Sequence, residues 1–277
     1  MGANPVSTDT PIREHRAQAD AASRPAPKVV QARHIGKTFP ATRTASPLTA
    51  IEDVSFEVHQ GEFTVFLGPS GCGKSTTLYM IGGFERPTAG ELMLHGRAID
   101  GPGPDRGIVF QDFILFPWRT VLGNIAFGME VAKRFGADEI RERAQRLIDR
   151  LNLSGFEKSF PNTLSGGMKQ RVAIARTLAT DPEFVLMDEP FASLDAQTRD
   201  RLIGDIEEVA VEQKKTFLFV THDVREAIRL ADRIVVFSQR PARIIEDIVV
   251  DEPRPRDMYA DSMRDFERYL RSLIRID

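Results

Sequence analysis

The near-continuous apolar run Phe63-Thr64-Val65-Phe66-Leu67 breaks abruptly into Gly68-Pro69-Ser70-Gly71-Cys72-Gly73-Lys74-Ser75-Thr76, which fits the pattern G-x-x-x-x-G-K-[ST]. A buried strand, a glycine-rich loop and a helix beginning near Lys74 follow one another, and that order restricts the chain to an α/β core. The glycines let successive backbone N–H groups turn inward around a phosphate, and the helix N-terminus adds a partial positive charge. Lys74 is expected to neutralise β/γ oxygens and Ser75 to ligate Mg²⁺. A turn that merely reverses the chain needs neither the lysine nor the serine.

Two further segments carry chemistry. Phe184-Val185-Leu186-Met187-Asp188-Glu189 reads as an apolar strand delivering two carboxylates at its C-terminal end, where ligands sit in open α/β sheets. Asp188 suits a Mg²⁺ shell and Glu189 suits activation of a water nucleophile. Leu164-Ser165-Gly166-Gly167-Met168-Lys169-Gln170-Arg171 is a second glycine-rich turn. Ser165 can cap the helix that runs through Val172, Ile174, Ala175 and Leu178 to the Asp181-Pro182 stop, which places Gly166 and Gly167 at a positive helix end suited to an anion.

From about residue 28 to about residue 245 the chain resembles the ATP-binding cassette family. The resemblance implies that Phe39 stacks on adenine and that Gln111 links Mg²⁺ and the attacking water to a permease contact. It also assigns Ser165 and Gly167 to the signature loop, Ser193-Leu194-Asp195 to the loop crossing the dimer interface and His222 to γ-phosphate sensing. In that family two cassettes pack head to tail, each ATP lying between the phosphate loop of one copy and the signature loop of the other. The expected ligands are therefore ATP and Mg²⁺, and the expected first partner is a second copy of the chain. Catalytic work would fall on Glu189, His222, Gln111 and Lys74, and Mg²⁺ would be held by Ser75, Gln111 and Asp188.

Composition narrows the partners. The 37 Lys and Arg residues against 40 Asp and Glu residues leave a net charge of −3, with no basic excess to argue for nucleic acid. The single Cys72 excludes an intrachain disulfide framework and fits a reducing compartment. Its place at a helix N-terminus raises the expectation of a reactive thiol whose alkylation blocks nucleotide binding. No stretch of about 18 uninterrupted apolar residues exists to span a bilayer. Residues 1–27 hold Pro5, Pro11, Pro25 and Pro27 among small and charged residues, which reads as a mostly disordered extension without a signal-peptide core.

The remaining pattern predicts an α/β nucleotide-binding core with an antiparallel β subdomain before the phosphate loop and an inserted helical subdomain. Residues 29–34 and the alternation Val54, Phe56, Val58 supply the antiparallel strands. Ile140, Ala144, Leu147, Ile148 and Leu151 recur at helical spacing, so the helical subdomain is expected at about 112–165 within a domain spanning 28–245. A helix near 196–212 and strands at 216–220 and 233–237 complete the alternation. Residues 246–277, with Met258, Tyr259, Met263, Phe266, Tyr269, Leu270 and Leu273, read as a short extension with an amphipathic helix.

Phe113-Ile114-Leu115-Phe116-Pro117-Trp118 is too short to span lipid and poorly patterned for an ordinary amphipathic helix. The resemblance makes it a groove receiving a short helix of a separate membrane permease, with the chain on the cytoplasmic face of the membrane and an extracytoplasmic solute-binding protein beyond. The runs from Leu115 to Ile125 and from Ser238 to Ile244 are similar to cassettes of nitrate, sulfonate and taurine importers. The sequence continues only 32 residues past Ile245, short of the regulatory domain common in sugar and polyamine cassettes. Other importer subgroups, exporters and non-transport cassette ATPases are the alternatives. The 54-residue interval from Gln111 to Ser165 lacks the long coiled coil of chromosome-organising relatives, and a small-molecule kinase would leave residues 164–171 and 193–195 without a role.

Overall fold

A computed structural model describes residues 26–41, 46–213 and 215–274. The expected disorder of residues 1–27 therefore concerns, but for the last two, a segment outside the described residues. The strands are β1 (Lys28–Phe39), β2 (Leu48–His59), β3 (Phe63–Leu67), β4 (Ala89–Leu94), β5 (Arg97–Ala98), β6 (Arg106–Val109), β7 (Phe184–Asp188), β8 (Thr216–Thr221), β9 (Arg233–Phe237) and β10 (Ala242–Val249). The helices are α1 (Lys74–Gly82), α2 (Val121–Ala132), α3 (Ala137–Arg150), α4 (Gly166–Ala179), α5 (Ala196–Gln213), α6 (Val224–Leu230) and α7 (Asp261–Ile274).

The strands form one sheet in the order β5-β4-β1-β2-β10-β9-β3-β8-β7-β6. Its heart, β9-β3-β8-β7-β6, is parallel. Strands in such a position are covered on both faces, which is why β3, β7 and β8 read as apolar runs and are buried at every residue. The antiparallel strands are not a detached subdomain. β10 pairs antiparallel with β9 and parallel with β2 at Ala242 and Arg243, joining the two halves.

The two faces of β3 anchor two cores, as the period of two requires. Phe63, Val65 and Leu67 point towards α2 to α7 and pack with residues such as Val172, Ile174, Leu202, Ile206, Ala227 and Leu270. Phe66 points to the other side, towards Leu78 and Ile81 of α1 and Val30, Ile35 and Val54 of the antiparallel strands. Phe63 stacks on Phe217 of β8 with ring centroids 5.0 Å apart, and Phe66 meets Phe56 of β2 edge to face at the same separation. Such pairs contribute about 0.5–1.5 kcal/mol beyond the area they bury.

The helical layer is built on α4. Val121, Ile125 and Met129 of α2 and Ala144 and Ile148 of α3 are buried in the same core as Val172 and Leu178 of α4. α7 lays Met263 and Leu270 on the core, with Phe266 and Leu273 half-buried beside them, whereas Tyr259 in the preceding turn is exposed. The segment from residue 246 is thus part strand, since β10 runs to Val249, and only then helix.

Candidate active site at the C-terminal edge of the parallel strands

Four adjacent parallel strands deliver the candidate residues to one edge of the sheet. The phosphate loop follows β3, Gln111 lies two residues beyond β6, Asp188 ends β7 and is followed by Glu189, and His222 follows β8. This is the crevice outside the carboxyl ends of the strands in which open α/β sheets place ligands.

The loop geometry depends on its glycines. Gly73 has φ +123°, and a Cβ there would stand 3.1 Å from the Ala50 carbonyl oxygen. At Gly68 a Cβ would approach the Phe237 carbonyl oxygen to 2.8 Å, so the loop presses directly on the end of β9. Lys74 is only 3% exposed, and its Nζ donates to the carbonyls of Gly68 and Pro69, both at 2.8 Å. The ammonium therefore sits under the loop, with Gly68 to Thr76 wrapped around it. Cys72, expected to be a reactive thiol, is buried, 2% exposed, with its Sγ 3.8 Å from Lys74 Nζ.

Ser75 Oγ donates to Asp188 Oδ1 at 2.7 Å, and the Tyr79 hydroxyl donates to Asp188 Oδ2 at the same distance. Burial pushes the Asp188 carboxyl up, and the bonds from Ser75 and Tyr79 oppose that shift. Tyr79 is raised in turn, by burial and then by donating to the carboxylate. Sequence reading did not single out Tyr79, although it lies four residues after Ser75 on α1 and so on the same face.

Ser75 and Asp188 present hard oxygen donors side by side. Among the described residues no cluster of three or more His, Cys, Asp or Glu side chains gathers. Few protein oxygens, with phosphates and water completing the shell, is the manner in which Mg²⁺ is held, so the residues fit that ion.

Glu189 takes a left-handed backbone, φ +40°, and its N–H donates to the Val220 carbonyl at 3.0 Å. Such a conformation costs about 1–3 kcal/mol for a residue with a side chain. It turns the Glu189 carboxylate to His222, whose Nδ1 is 3.0 Å from Oε2. An ionised carboxylate only accepts, so Nδ1 carries the proton in this bond and Nε2 is left free to face a ligand. Glu189 is mostly buried whereas His222 is half exposed, which is a suitable pairing for polarising a water and contacting a phosphoryl oxygen.

The other sequence-derived residues are arranged as follows. Phe39 ends β1, half-buried, with Lys37 Nζ 4.9 Å from its ring centroid and held there by Glu85 Oε2 and the Arg86 carbonyl at 2.8 Å each. Gln111 is exposed and its side chain makes no hydrogen bond among the described residues. Ser165 Oγ caps α4 by accepting from the Met168 N–H at 3.3 Å. Gly167 packs so close to Thr198 of α5 that a Cβ would stand 2.4 Å from Thr198 Cγ2. Among the described residues no hydrogen bond or ion pair joins residues 164–171 to residues 68–76.

Before α2, the loop containing Phe113 to Trp118 is organised by a residue that sequence reading missed. Asn124 is fully buried, accepts from the Phe116 N–H at 2.8 Å and donates to the carbonyls of Phe116, Arg119 and Thr120. Arg176 of α4 donates to the Ile114 carbonyl at 2.7 Å. Held in this way, Ile114 and Trp118 are 55% and 72% exposed.

The arrangement defines a nucleotide-binding ATPase core, and comparison with known proteins places it in a family. The pattern described as "ABC transporter" matches residues 51–192. An uncharacterised ABC transporter ATP-binding protein of Methanocaldococcus jannaschii is 48% identical over 226 residues, covering 82% of this chain and 84% of the relative. The nitrate import ATP-binding protein NrtD of Synechococcus elongatus is 42% identical, over 83% of this chain and 85% of its own. The aliphatic sulfonates import ATP-binding protein SsuB of Bacillus licheniformis is 44% identical, over 75% and 80%. Among solved structures, the dimeric post-hydrolysis state of the ATP-binding cassette MJ0796 bound to ADP and Pi superposes with a TM-score of 0.71 at 31% identity, covering 81% of this chain and 100% of that one. The chain belongs to the ABC transporter family and is an ATPase of that family.

Proposed function

We propose that the chain is the ATP-hydrolysing subunit of an importer for a small anionic solute, of the nitrate, sulfonate or taurine type. It works as a head-to-tail pair of identical copies on the cytoplasmic face of a membrane. The observation that carries the paired arrangement is that one chain holds a phosphate loop around Lys74 and a capped helix end at Ser165, with no hydrogen bond or ion pair between them among the described residues. The cassette MJ0796, dimeric in the structure that superposes on this chain, supports the same reading. No helix among the described residues is long and apolar enough to cross a membrane; in this reading a separate permease forms the pathway, and the surface around Ile114 and Trp118 suits a short apolar helix from it. An extracytoplasmic solute-binding protein would deliver the solute. The import direction and the anion class follow the similarity to the nitrate import protein NrtD and the aliphatic sulfonates import protein SsuB.

In this reading Phe39 takes the adenine ring, the backbone from Gly68 to Thr76 with Lys74 takes the β- and γ-phosphates, and Ser75, Gln111 and Asp188 hold Mg²⁺. The ion, when bound, neutralises charge on the phosphate oxygens. Glu189 accepts hydrogen-bonding from the water that attacks the γ-phosphoryl in line, while His222 Nε2 and the other copy's signature loop, through Ser165, Gly166 and Gly167, stabilise the spreading negative charge. Release of that contact is passed through Gln111 to the loop ending at Trp118. The test is isolation of the complex from its own membranes. A co-purifying permease pair and a bound inorganic or sulfonated anion support the proposal, whereas a complex without membrane subunits, or one holding a sugar or peptide, refutes it.

A further inference from the structure

Between the start of α5 and the end of β8 lies a charged cluster that the roles above do not use. Arg199, in the first turn of α5, donates from Nη2 to the Leu194 carbonyl at 3.2 Å. The same guanidinium places Nη1 3.7 Å from Asp223 Oδ2 and Nε 3.9 Å from Glu226 Oε1. Both are ion-pair separations too long for hydrogen bonds, and Nε is buried without a partner.

Glu226 is 6% exposed. Its Oε2 accepts from the Thr221 hydroxyl at 2.6 Å, Thr221 Oγ1 accepts from the Asp223 N–H at 2.9 Å, and Asp223 caps α6 by accepting from the N–H groups of Arg225 and Glu226. His222 therefore stands between two residues, Thr221 and Asp223, that are both fastened to Glu226. Burial pushes the Glu226 carboxyl up to about 7, the mark of a buried acid whose cation partner is only loosely engaged.

We propose that Arg199 is a positioning residue for His222, tying the Ser193-Leu194-Asp195 loop to the His222 turn through Glu226 and Asp223. Displacement of that loop by a second copy would then be delivered to the imidazole that faces Glu189. Closing the Arg199 Nε to Glu226 gap to an ordinary hydrogen bond takes a shift of about 1 Å, and a misplacement of that size at a reacting centre costs on the order of 100-fold in rate. The proposal rests on the reading of residues 193–195 as an interface loop and of His222 as a phosphate contact.

The test compares Arg199→Met, which keeps the aliphatic stem, with Glu226→Gln, which keeps the bond from Thr221, and with the double variant. Expected are a turnover loss of about 10- to 100-fold in each single variant, ATP affinity within about twofold of the parent, and a double variant no slower than the slower single one. The His222 imidazole resonance of ATP-bound, histidine-labelled protein should move in both single variants. Unchanged turnover in both, multiplicative losses in the double variant, an unmoved His222 signal, or loss of ATP affinity in step with turnover would each overturn the proposal. Failure of the interface reading shows separately, because Ser165→Ala would then retain full turnover whatever Arg199→Met does.

Discussion

Ser75 Oγ donates to Asp188 Oδ1 at 2.7 Å, so the first turn of α1 and the end of β7, 113 residues apart in sequence, are joined by one bond at the centre of the site. The Tyr79 hydroxyl takes the other oxygen. The carboxylate is thus held from both sides.

Tyr79→Phe should lower stability by about 1.5–3 kcal/mol, the scale of a hydrogen bond to a buried charge. The deficit should shrink with saturating Mg²⁺ and ATP, which supply Asp188 with another counter-charge. Urea unfolding with and without the ligands measures both numbers, and a variant as stable as the parent would remove Tyr79 from the site.

Lys74→Ala should weaken ATP binding by about 10- to 100-fold, the equivalent of about 1.5–3 kcal/mol for charge-assisted bonds to phosphate. Titration calorimetry decides it, and unaltered affinity would count against the phosphate-loop assignment.

Glu189→Gln keeps the size and an acceptor for His222 Nδ1 but removes the charge. It should bind ATP normally, turn over about 10²- to 10⁴-fold more slowly, and accumulate as a nucleotide-bound dimer in gel filtration. Near-normal turnover would exclude Glu189 as the base.

The raised carboxyl of Glu226 makes stability depend on pH with a definite sign. Between the unfolded value, 4.5, and about 7 the folded chain binds more protons at this position. Its contribution is full below that window and declines as pH rises through it, by at most about 3 kcal/mol. Asp223 raises the carboxyl further, while Arg199 and His222 pull it down. Denaturation of parent and Glu226→Gln at pH 5 and pH 8 isolates the effect, and the parent should lose ground to the variant at the higher pH.

Trp118→Ala should leave the ATPase activity of the isolated chain within about twofold of the parent, as expected for an exposed side chain away from the site, and should reduce recovery of membrane subunits with it. Equal recovery from both would move the docking surface elsewhere.

Much of this site is legible in the amino-acid order because its chemistry is local. Phe63 to Ser75 carries a strand, a loop and a helix start in 13 residues, and Ser165 precedes its helix by one position. Strands β7 to β9 announce themselves as apolar runs because both faces are covered. Where contacts are made across the fold the order is silent. Arg199 reaches Glu226 over 27 positions, Asn124 organises a loop upstream of its own helix, and nothing local marks either. β10 escaped notice because Arg243, Glu246 and Asp247 interrupt its isoleucines, as befits a strand with alternate residues exposed. Cys72 shows the converse, since a helix N-terminus suggests a reactive thiol and only packing reveals that it is buried.

The pairing of β10 with both β2 and β9 makes Phe39 and the loop around Lys74 parts of a single hydrogen-bonded plank. The ladder of backbone bonds between them holds their separation. Any swing of α2 to α4 against this plank must bend residues 110–120 leaving β6 and residues 180–183 returning to β7, and must strain the bond from Thr177 Oγ1 to the Ile108 carbonyl of β6. A crosslink across either connection should freeze the machine while leaving its grip on nucleotide intact.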